Sequence, residues 1–598
     1  MTVKNNSNNE SAAELQIRIR ELEKEIARLH SQIKEQRYGL TWLDVPEAFE
    51  TESENKIPIL EEVKDKAIDT AGRDALHASA NDTPTHIIIE GDNYHALSCL
   101  NYTHRGKIDV IYIDPPYNTG NDGFTYKDKR FLKEFPDGSP VPKEHPLRHS
   151  YWLSFMSKRL ELAKNLLSDK GVIFISIDDN EQANLKLLCD KVFGEENFVG
   201  NYIWRKKYGG GQAVDYFSIE HEYIQVYRKT DKMFWHDEVV ERSLKEYSHK
   251  DEQGIYKATK LAKWGNTARR EDRPSMYFPI IAPDNTECYP IAPDGNDGRW
   301  RVGKDKMNLL KESNLIKWEK KGTKWIPYEK EYFNGQQKTI KDRSILYEIA
   351  ETGDGSNALT EIFGIKDRFL NPKPVEIISK IIKNVSNNDS EFTFLDFFAG
   401  SGTTLHATMK LNAEDGGHRQ CILVQQREGD NNICENVTYE RNRRVMCGYT
   451  NAKGEQVEGL GGRLKYYRTA FVGKHASHNA IDADRVELSR KAGYLLALGE
   501  NTLEEIAHTD TYQIFADNKE KASMYTAIYF TENYAKMPEF VAEIDKLRSV
   551  GTCNPQINVY IFCWGTPEIF EGEFDDLRGI SLKAIPQPIL DVYKSINQ

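Results

Sequence analysis

Asp114-Pro115-Pro116-Tyr117 is the stretch of this chain with the clearest chemical content. It carries a carboxylate, two residues with no N–H to donate, and a phenol ring. A carboxylate and a proline-turn carbonyl are both acceptors, so together they can hold an exocyclic NH2 group by its two hydrogens. An aromatic ring beside them can stack on the heterocycle that bears the amine. Such bonds draw the nitrogen towards tetrahedral geometry and free its lone pair. Taken alone, the tetrapeptide reads more simply as a surface turn, because Asp-Pro and Pro-Pro are common turn punctuation. A second stretch argues against that reading. Phe394-Leu395-Asp396-Phe397-Phe398-Ala399-Gly400-Ser401-Gly402 closes an apolar run on a turn whose glycines let the backbone pass close to a ligand. A helix N-terminus is expected directly after it, at Thr403 or Thr404.

Both turns need strands to deliver them. Ile108 to Ile113 is apolar around Asp109 and reads as a buried parallel strand, whose carboxyl edge is where open α/β sheets bind ligands. Ile87 to Ile89 gives another short strand, ending on Glu90, Gly91 and Asp92. Trp152, Phe155, Met156, Arg159, Leu160, Ala163, Leu166 and Leu167 recur at helical spacing before the strand Val172 to Ile177. A helix from about Glu181 follows. Asn201 to Lys207 and Glu222 to Lys229 read as antiparallel strands around Gly209-Gly210-Gly211, and Cys421 to Val424 as a further buried strand. Strands alternating with helices in this way predict a doubly wound α/β sheet.

An Asp-Pro-Pro-Tyr turn lying before a Phe-x-Gly-x-Gly strand and turn resembles the β-class amino-methyltransferases of DNA, which use S-adenosylmethionine (SAM). More narrowly, Gly91 to Leu97, Tyr117-Asn118-Thr119-Gly120, the run from Trp152 through Glu181, and Asn371-Pro372-Lys373-Pro374 resemble the modification (Mod) subunit of type III restriction-modification systems. The resemblance implies a Rossmann-like SAM-dependent methyltransferase sheet, circularly permuted, with an inserted target recognition domain. It implies methyl transfer to the N6 amino group of adenine in duplex DNA, after base flipping, through Asp114, Pro115, Pro116 and Tyr117. Asp396, Phe397, Ala399, Gly400 and Gly402 would hold SAM, with Asp92 by its adenine and Lys373 by its methionine carboxylate. The family places an acid for the SAM ribose after the strand Cys421 to Val424. Here Gln425 and Gln426 come first and Glu428 lies further on, so Gln426 stands in that place. No metal is required. The implied partners are duplex DNA, a second copy of the chain and a separate ATP-dependent restriction (Res) subunit. The implied setting is the bacterial cytoplasm, at the nucleoid through DNA.

Length and composition bound the rest. A chain of 598 residues exceeds a single core. Its net charge of −12 excludes a uniformly basic DNA-coating surface, so nucleic-acid contacts must be local. The eight cysteines show no zinc spacing, and no apolar run reaches the roughly 18 residues of a membrane helix. Residues 1–45 comprise an Asn/Ser-rich tail and a heptad seam, Leu15, Ile19, Leu22, Ile26, Leu29 and Ile33. That seam favours a parallel two-stranded coil, although a single amphipathic helix fits it too. Residues 46–232 form the catalytic half, 233–362 the insert, 363–475 the SAM-binding half and 476–598 a small C-terminal α/β domain.

In the insert, aromatic residues interleave with charge, and from Arg301 to Arg343 there are 12 Lys/Arg against 6 Asp/Glu. Arg269, Arg270, Lys320, Lys321 and Lys324 are its candidate DNA contacts. Arg205, Lys206 and Lys207 are a second candidate group, for which a solvated strand end is an equal reading. Three other functions compete. N4-cytosine methylation is the same displacement on another amine; the resemblance implies that serine more often opens the turn in such enzymes, so Asp114 favours adenine. Methylation of RNA is the second, and the large insert with its local basic charge favours a duplex-DNA reader over it. A non-catalytic DNA-recognition subunit is the third, and the intact Asp114 and Gly400 turns weigh against it.

Overall fold

The computed structural model describes residues 40–45, 56–70, 83–120, 128–135, 138–209, 216, 218–240, 244–335, 337–386, 391–427, 432–517, 522–550, 555–575, 577 and 579–596. The heptad seam and Glu428 lie outside them, as do Gly210 and Gly211. The chain divides into two compact units. One is 1–236 together with 343–598, and the other is Asp237–Asp342.

The larger unit is built on a mixed sheet. In chain order its main strands are β1 (Ile57–Glu62), β2 (Thr85–Glu90), β3 (Ile108–Ile113), β4 (Leu167–Ile177), β5 (Phe198–Arg205), β6 (His221–Arg228), β7 (Thr393–Asp396), β8 (Gln420–Gln425) and β9 (Arg463–Val472). In space the order is β1-β9-β2-β8-β7-β3-β4-β6-β5. The strands from β9 through β4 are parallel, while β1 and β6 run against their neighbours. The strands β3 and β7, some 280 positions apart in sequence, are direct neighbours, with Phe394 opposite Val110 and Leu395 opposite Ile111.

Side-chain alternation sorts each strand between two cores, as a period of two requires. Ile111, Ile113, Leu395, Ile422 and Val424 face a core shared with α1 (Asn93–Thr103), α2 (Ser150–Leu166) and α3 (Gln182–Phe193). Val110, Tyr112, Phe394, Cys421 and Leu423 face the opposite core, with α4 (Val375–Val385) and α5 (Thr403–Asp415). The helices after β3 and after β7 thus cover opposite faces. The gap between those two strands is a topological switch point, where doubly wound sheets open a crevice.

The C-terminal segment, expected as a small separate domain over 476–598, carries a five-stranded sheet in the order Glu504–His508, Tyr512–Ala516, Met524–Tyr529, Gln556–Phe562, Ile580–Ile585. Phe515, Ile528, Phe562, Ile589 and Tyr593 join the same buried cluster as α1 and α2, and the Tyr593 hydroxyl donates to the Pro58 carbonyl at 2.9 Å. The segment is therefore welded to the larger unit.

The second unit holds a four-stranded antiparallel sheet of Ile316–Lys321, Lys324–Tyr332, Gly254–Lys260 and His249–Asp251. Its small core is Leu261, Ala262, Phe278, Trp300, Met307 and Leu310. It is narrower than the 233–362 expected. Met233 and Trp235 pack on the main body, and Ile345–Leu346 pairs with β5.

Candidate functional site

A cavity of about 420 Å³ opens at the carboxyl ends of β3 and β7, lined from one side by Asp114, Pro115, Pro116 and Tyr117 and from the other by Asp396 to Ser401. Adjacency of the two strands brings the two turns together.

The Asp114 turn is held from outside. Trp152 Nε1 donates to the Pro116 carbonyl at 2.7 Å. The buried carboxylate of Asp128 receives the backbone N–H groups of Tyr117, Asn118 and Thr119 at 3.0, 3.1 and 2.7 Å, and the Thr119 hydroxyl at 2.6 Å. Asn118, at a φ of 58°, donates through Nδ2 to Glu181 at 2.6 Å. Two prolines cannot satisfy themselves through N–H groups, so the residues after them are pinned instead.

The carboxylate of Asp114 sits in a cluster of charges. Lys373 Nζ donates to its two oxygens at 2.9 and 3.0 Å and lies 3.3 Å from Glu222 Oε2. The Tyr117 hydroxyl lies 2.8 Å from Asp114 Oδ1 and 3.2 Å from Glu222 Oε2. Lys206 Nζ donates to Glu222 Oε1 at 3.0 Å. Burial opposes the Lys373 ammonium, but Asp114 and Glu222 outweigh it and hold the group above an ordinary lysine. Burial likewise opposes the Glu222 carboxylate, and Lys373 and Lys206 together bring it below its usual range. Burial, then Asp114 and Glu222, push the Tyr117 phenol well up.

On the opposite wall, burial raises the Asp396 carboxyl to about 7, against the hydrogen bonds from Thr404 Oγ1 at 2.6 Å and the Phe398 N–H at 3.0 Å. Gly400 has a φ of 51°, and its N–H donates to Gln425 Oε1 at 2.7 Å. Gly402, at a φ of 76°, does not line the cavity; a Cβ there would fall 2.4 Å from Asn442 Nδ2, so this glycine serves helix packing. Phe397, Ala399 and Gln426 line the cavity.

Several expected site residues have other uses. Asp92 does not line the cavity; it caps α1, accepting the Tyr94 N–H at 2.8 Å, and pairs with Arg159 Nη2 at 3.3 Å. Lys373 lines the cavity, but its ammonium faces Asp114 and Glu222. Lys206 and Lys207 also line it. Arg205 stacks its guanidinium on the Tyr208 ring at 3.7 Å. In the second unit, Arg269 pairs with Asp294 at 2.8 Å, Arg270 with Asp297 at 3.2 Å and Lys320 with Asp284 at 3.8 Å. Lys321 and Lys324 are exposed at the tip of a hairpin. Sequence reasoning missed Glu222, Asp128, Glu181 and Trp152 as parts of the site. The one signal for Glu222 was an acid at the start of the strand-like run Glu222 to Lys229.

Among the described residues, no group of three or more His, Cys, Asp or Glu side chains could hold a metal ion. No described helix is long and apolar enough to cross a membrane.

The chain is 33% identical over 430 residues to the Type III restriction-modification enzyme EcoPI Mod subunit of Escherichia phage P1, covering 66% of this chain and 65% of that protein. It is 34% identical over 377 residues to the StyLTI Mod subunit of Salmonella typhimurium, covering 60% and 55%. It is 37% identical over 360 residues to the Type II methyltransferase M.KpnI of Klebsiella pneumoniae, covering 58% and 81%. The chain thus spans less than two thirds of the length of the two Mod subunits. The sequence pattern of the N6_N4_Mtase family, described as DNA methylase, matches residues 108–434, which is more than half of the chain and contains both turns of the cavity. With that match, the chain belongs to the N6_N4_Mtase family of DNA methylases.

Proposed function

We propose that this chain transfers a methyl group from SAM to the N6 amino group of adenine in duplex DNA, as the Mod subunit of a type III restriction-modification system. The observation that carries the reading is the meeting of the Asp114 and Gly400 turns across one cavity. Its volume, about 420 Å³, lies within the range of about 300–1,000 Å³ usual for small-molecule and cofactor sites. Bound there, SAM would supply a sulfonium-activated methyl group.

The residues present fit that cofactor. Asp396, buried and lining the cavity, is an acceptor suited to an ammonium group, and Gln426 can receive ribose hydroxyls. Opposite them, Asp114 and the Pro115 carbonyl accept the two N–H groups of the target amine, since the Pro116 carbonyl is occupied by Trp152. Tyr117 stacks on the base once its hydroxyl leaves Asp114. An amine inside a duplex cannot reach so recessed a carboxylate, so the base is extruded first. No side-chain nucleophile is needed: positioning and electrostatics by Asp114 and its neighbours supply the catalysis. Lys206 and Lys207 at the cavity, and Lys321 and Lys324 in the second unit, are the local basic groups for phosphates. A separate Res subunit and a second copy of the chain complete the proposed assembly, in the bacterial cytoplasm.

The test incubates the protein with SAM and duplex DNA, digests the DNA to nucleosides and identifies them by mass spectrometry, with Asp114→Ala in parallel. N6-methyladenine that disappears in the variant is expected. N4-methylcytosine would overturn the adenine assignment, and no methylated base from folded protein would overturn the enzyme.

A further inference from the structure

Asp114 is engaged where it should be free. Both its oxygens accept from Lys373, and Oδ1 also receives the Tyr117 hydroxyl. An incoming amine needs a carboxylate lone pair directed into the cavity. A lysine ammonium held there would also repel the positive charge that grows on the reacting nitrogen. Lys373 therefore competes with the incoming amine for Asp114, and an ammonium that is 11% exposed needs another anion if it is to give way.

Glu222 is that anion. It is 8% exposed, enters from the antiparallel strand β6, and already lies 3.3 Å from Lys373 Nζ. Its other oxygen is tied to Lys206, so two carboxylates and two ammonium groups balance in the cluster. The Lys373 backbone is fixed. It lies between Pro372 and Pro374, and its carbonyl accepts from Thr403 Oγ1 at 3.1 Å. Movement is thus confined to the side chain, which has Asp114 on one hand and Glu222 on the other.

Resting on the methyltransferase reading above, we propose that Glu222 is a positioning residue that takes the Lys373 ammonium from Asp114 as the target amine docks. Lys373 then acts as a latch: it seals Asp114 while the cavity lacks a base and releases it to the amine by turning to Glu222. Glu222 touches neither substrate nor cofactor in this scheme.

The test compares wild type, Glu222→Gln, Glu222→Asp, Lys373→Met and the Glu222→Gln/Lys373→Met double variant. Each is assayed for kcat and KM on duplex DNA, for SAM affinity and for thermal unfolding. Glu222→Gln is expected to lower kcat by about tenfold or more with SAM affinity within about twofold of wild type, because Lys373 stays latched on Asp114. Glu222→Asp recovers part of the loss. The double variant, with no latch to hold, methylates faster than Glu222→Gln alone. A Glu222→Gln enzyme with wild-type kcat overturns the proposal, and so does a folded double variant no faster than Glu222→Gln, which would make Glu222 merely structural. Absence of methyl transfer by wild type would instead be a failure of the functional reading.

Discussion

The cavity and the second unit use charge in opposite ways. In the cavity, Asp114, Glu222, Lys373 and Lys206 sit on adjoining strands and loops, Glu222 buried and the others half-buried, each within 3.3 Å of an opposite charge. In the second unit, Arg269, Arg270 and Lys320 reach exposed carboxylates, and Lys321 and Lys324 stand at a hairpin tip. Pairs of the second kind contribute about 0–1 kcal/mol each and are screened by salt, so they yield readily to a phosphate. Pairs of the first kind break only when a specific partner replaces them. The proposed reaction centre gains from the first arrangement, and the proposed phosphate contacts from the second.

The largest expected effect beyond that of Asp114, the proposed catalytic carboxylate, comes from Asp128. Its loss strands three backbone N–H groups behind the Asp114 turn, at about 1–3 kcal/mol for each unmet donor. Asp128→Ala is expected to lower kcat by about 100-fold or more, with a lowered unfolding temperature and SAM affinity little changed. Unchanged kcat would mean that the prolines alone set the turn.

Asp396 gives an intermediate effect, with signs that can be worked out. The folded chain keeps this proton up to about 7, well above an ordinary carboxyl. Its contribution to stability is therefore present at low pH and lost as pH rises from the ordinary carboxylate value through 7. Binding an ammonium group requires the ionised form, so SAM affinity should tighten below pH 7 by up to about tenfold per unit as pH rises. Calorimetry between pH 5.5 and 8, on wild type and Asp396→Asn, would show opposed slopes that both flatten in the variant. Parallel slopes would remove Asp396 from the cofactor site.

The smallest effect tests the second unit. Lys321→Ala/Lys324→Ala should reduce the slope of log affinity against log salt by about 2, at about 0.9 per phosphate contact, with kcat at saturating DNA unchanged. An unchanged slope would turn attention to Lys206 and Lys207 instead.

Both turns were legible because each packs its chemistry into consecutive residues: acid, prolines and ring in one, glycines after an apolar strand in the other. The strands that carry or flank them were legible from runs such as Ile108 to Ile113 and Cys421 to Val424. Glu222, Asp128 and Glu181 were not. Glu222 and Asp128 are each one acid among many, in stretches with no spacing to mark them, and Glu181, although it ends a run that resembles the family, gives no sign in sequence that it holds Asn118 behind the turn. Lys373 was legible as a site residue, but its pairing with Asp114 and Glu222 joins three stretches far apart in sequence and so could not be read. The fusion of the C-terminal segment was hidden for another reason: the residues that make it, such as Leu495, Ile589 and Tyr593, look like any apolar helix face.

The pairing of β7 with β3 has a consequence for how the molecule comes into being. Phe394 cannot meet Val110 until the chain between them has been made, and that chain includes the whole of the second unit. Contacts so distant in sequence form late, because a long loop must close before they repay its entropy. At ribosomal rates of about 5–20 residues per second, the Asp114 turn waits on the order of 15–60 seconds for its other wall. In that interval the second unit, with its own core and only local pairings, can already be folded. The unit proposed to hold phosphates can thus exist before the cavity has both its walls.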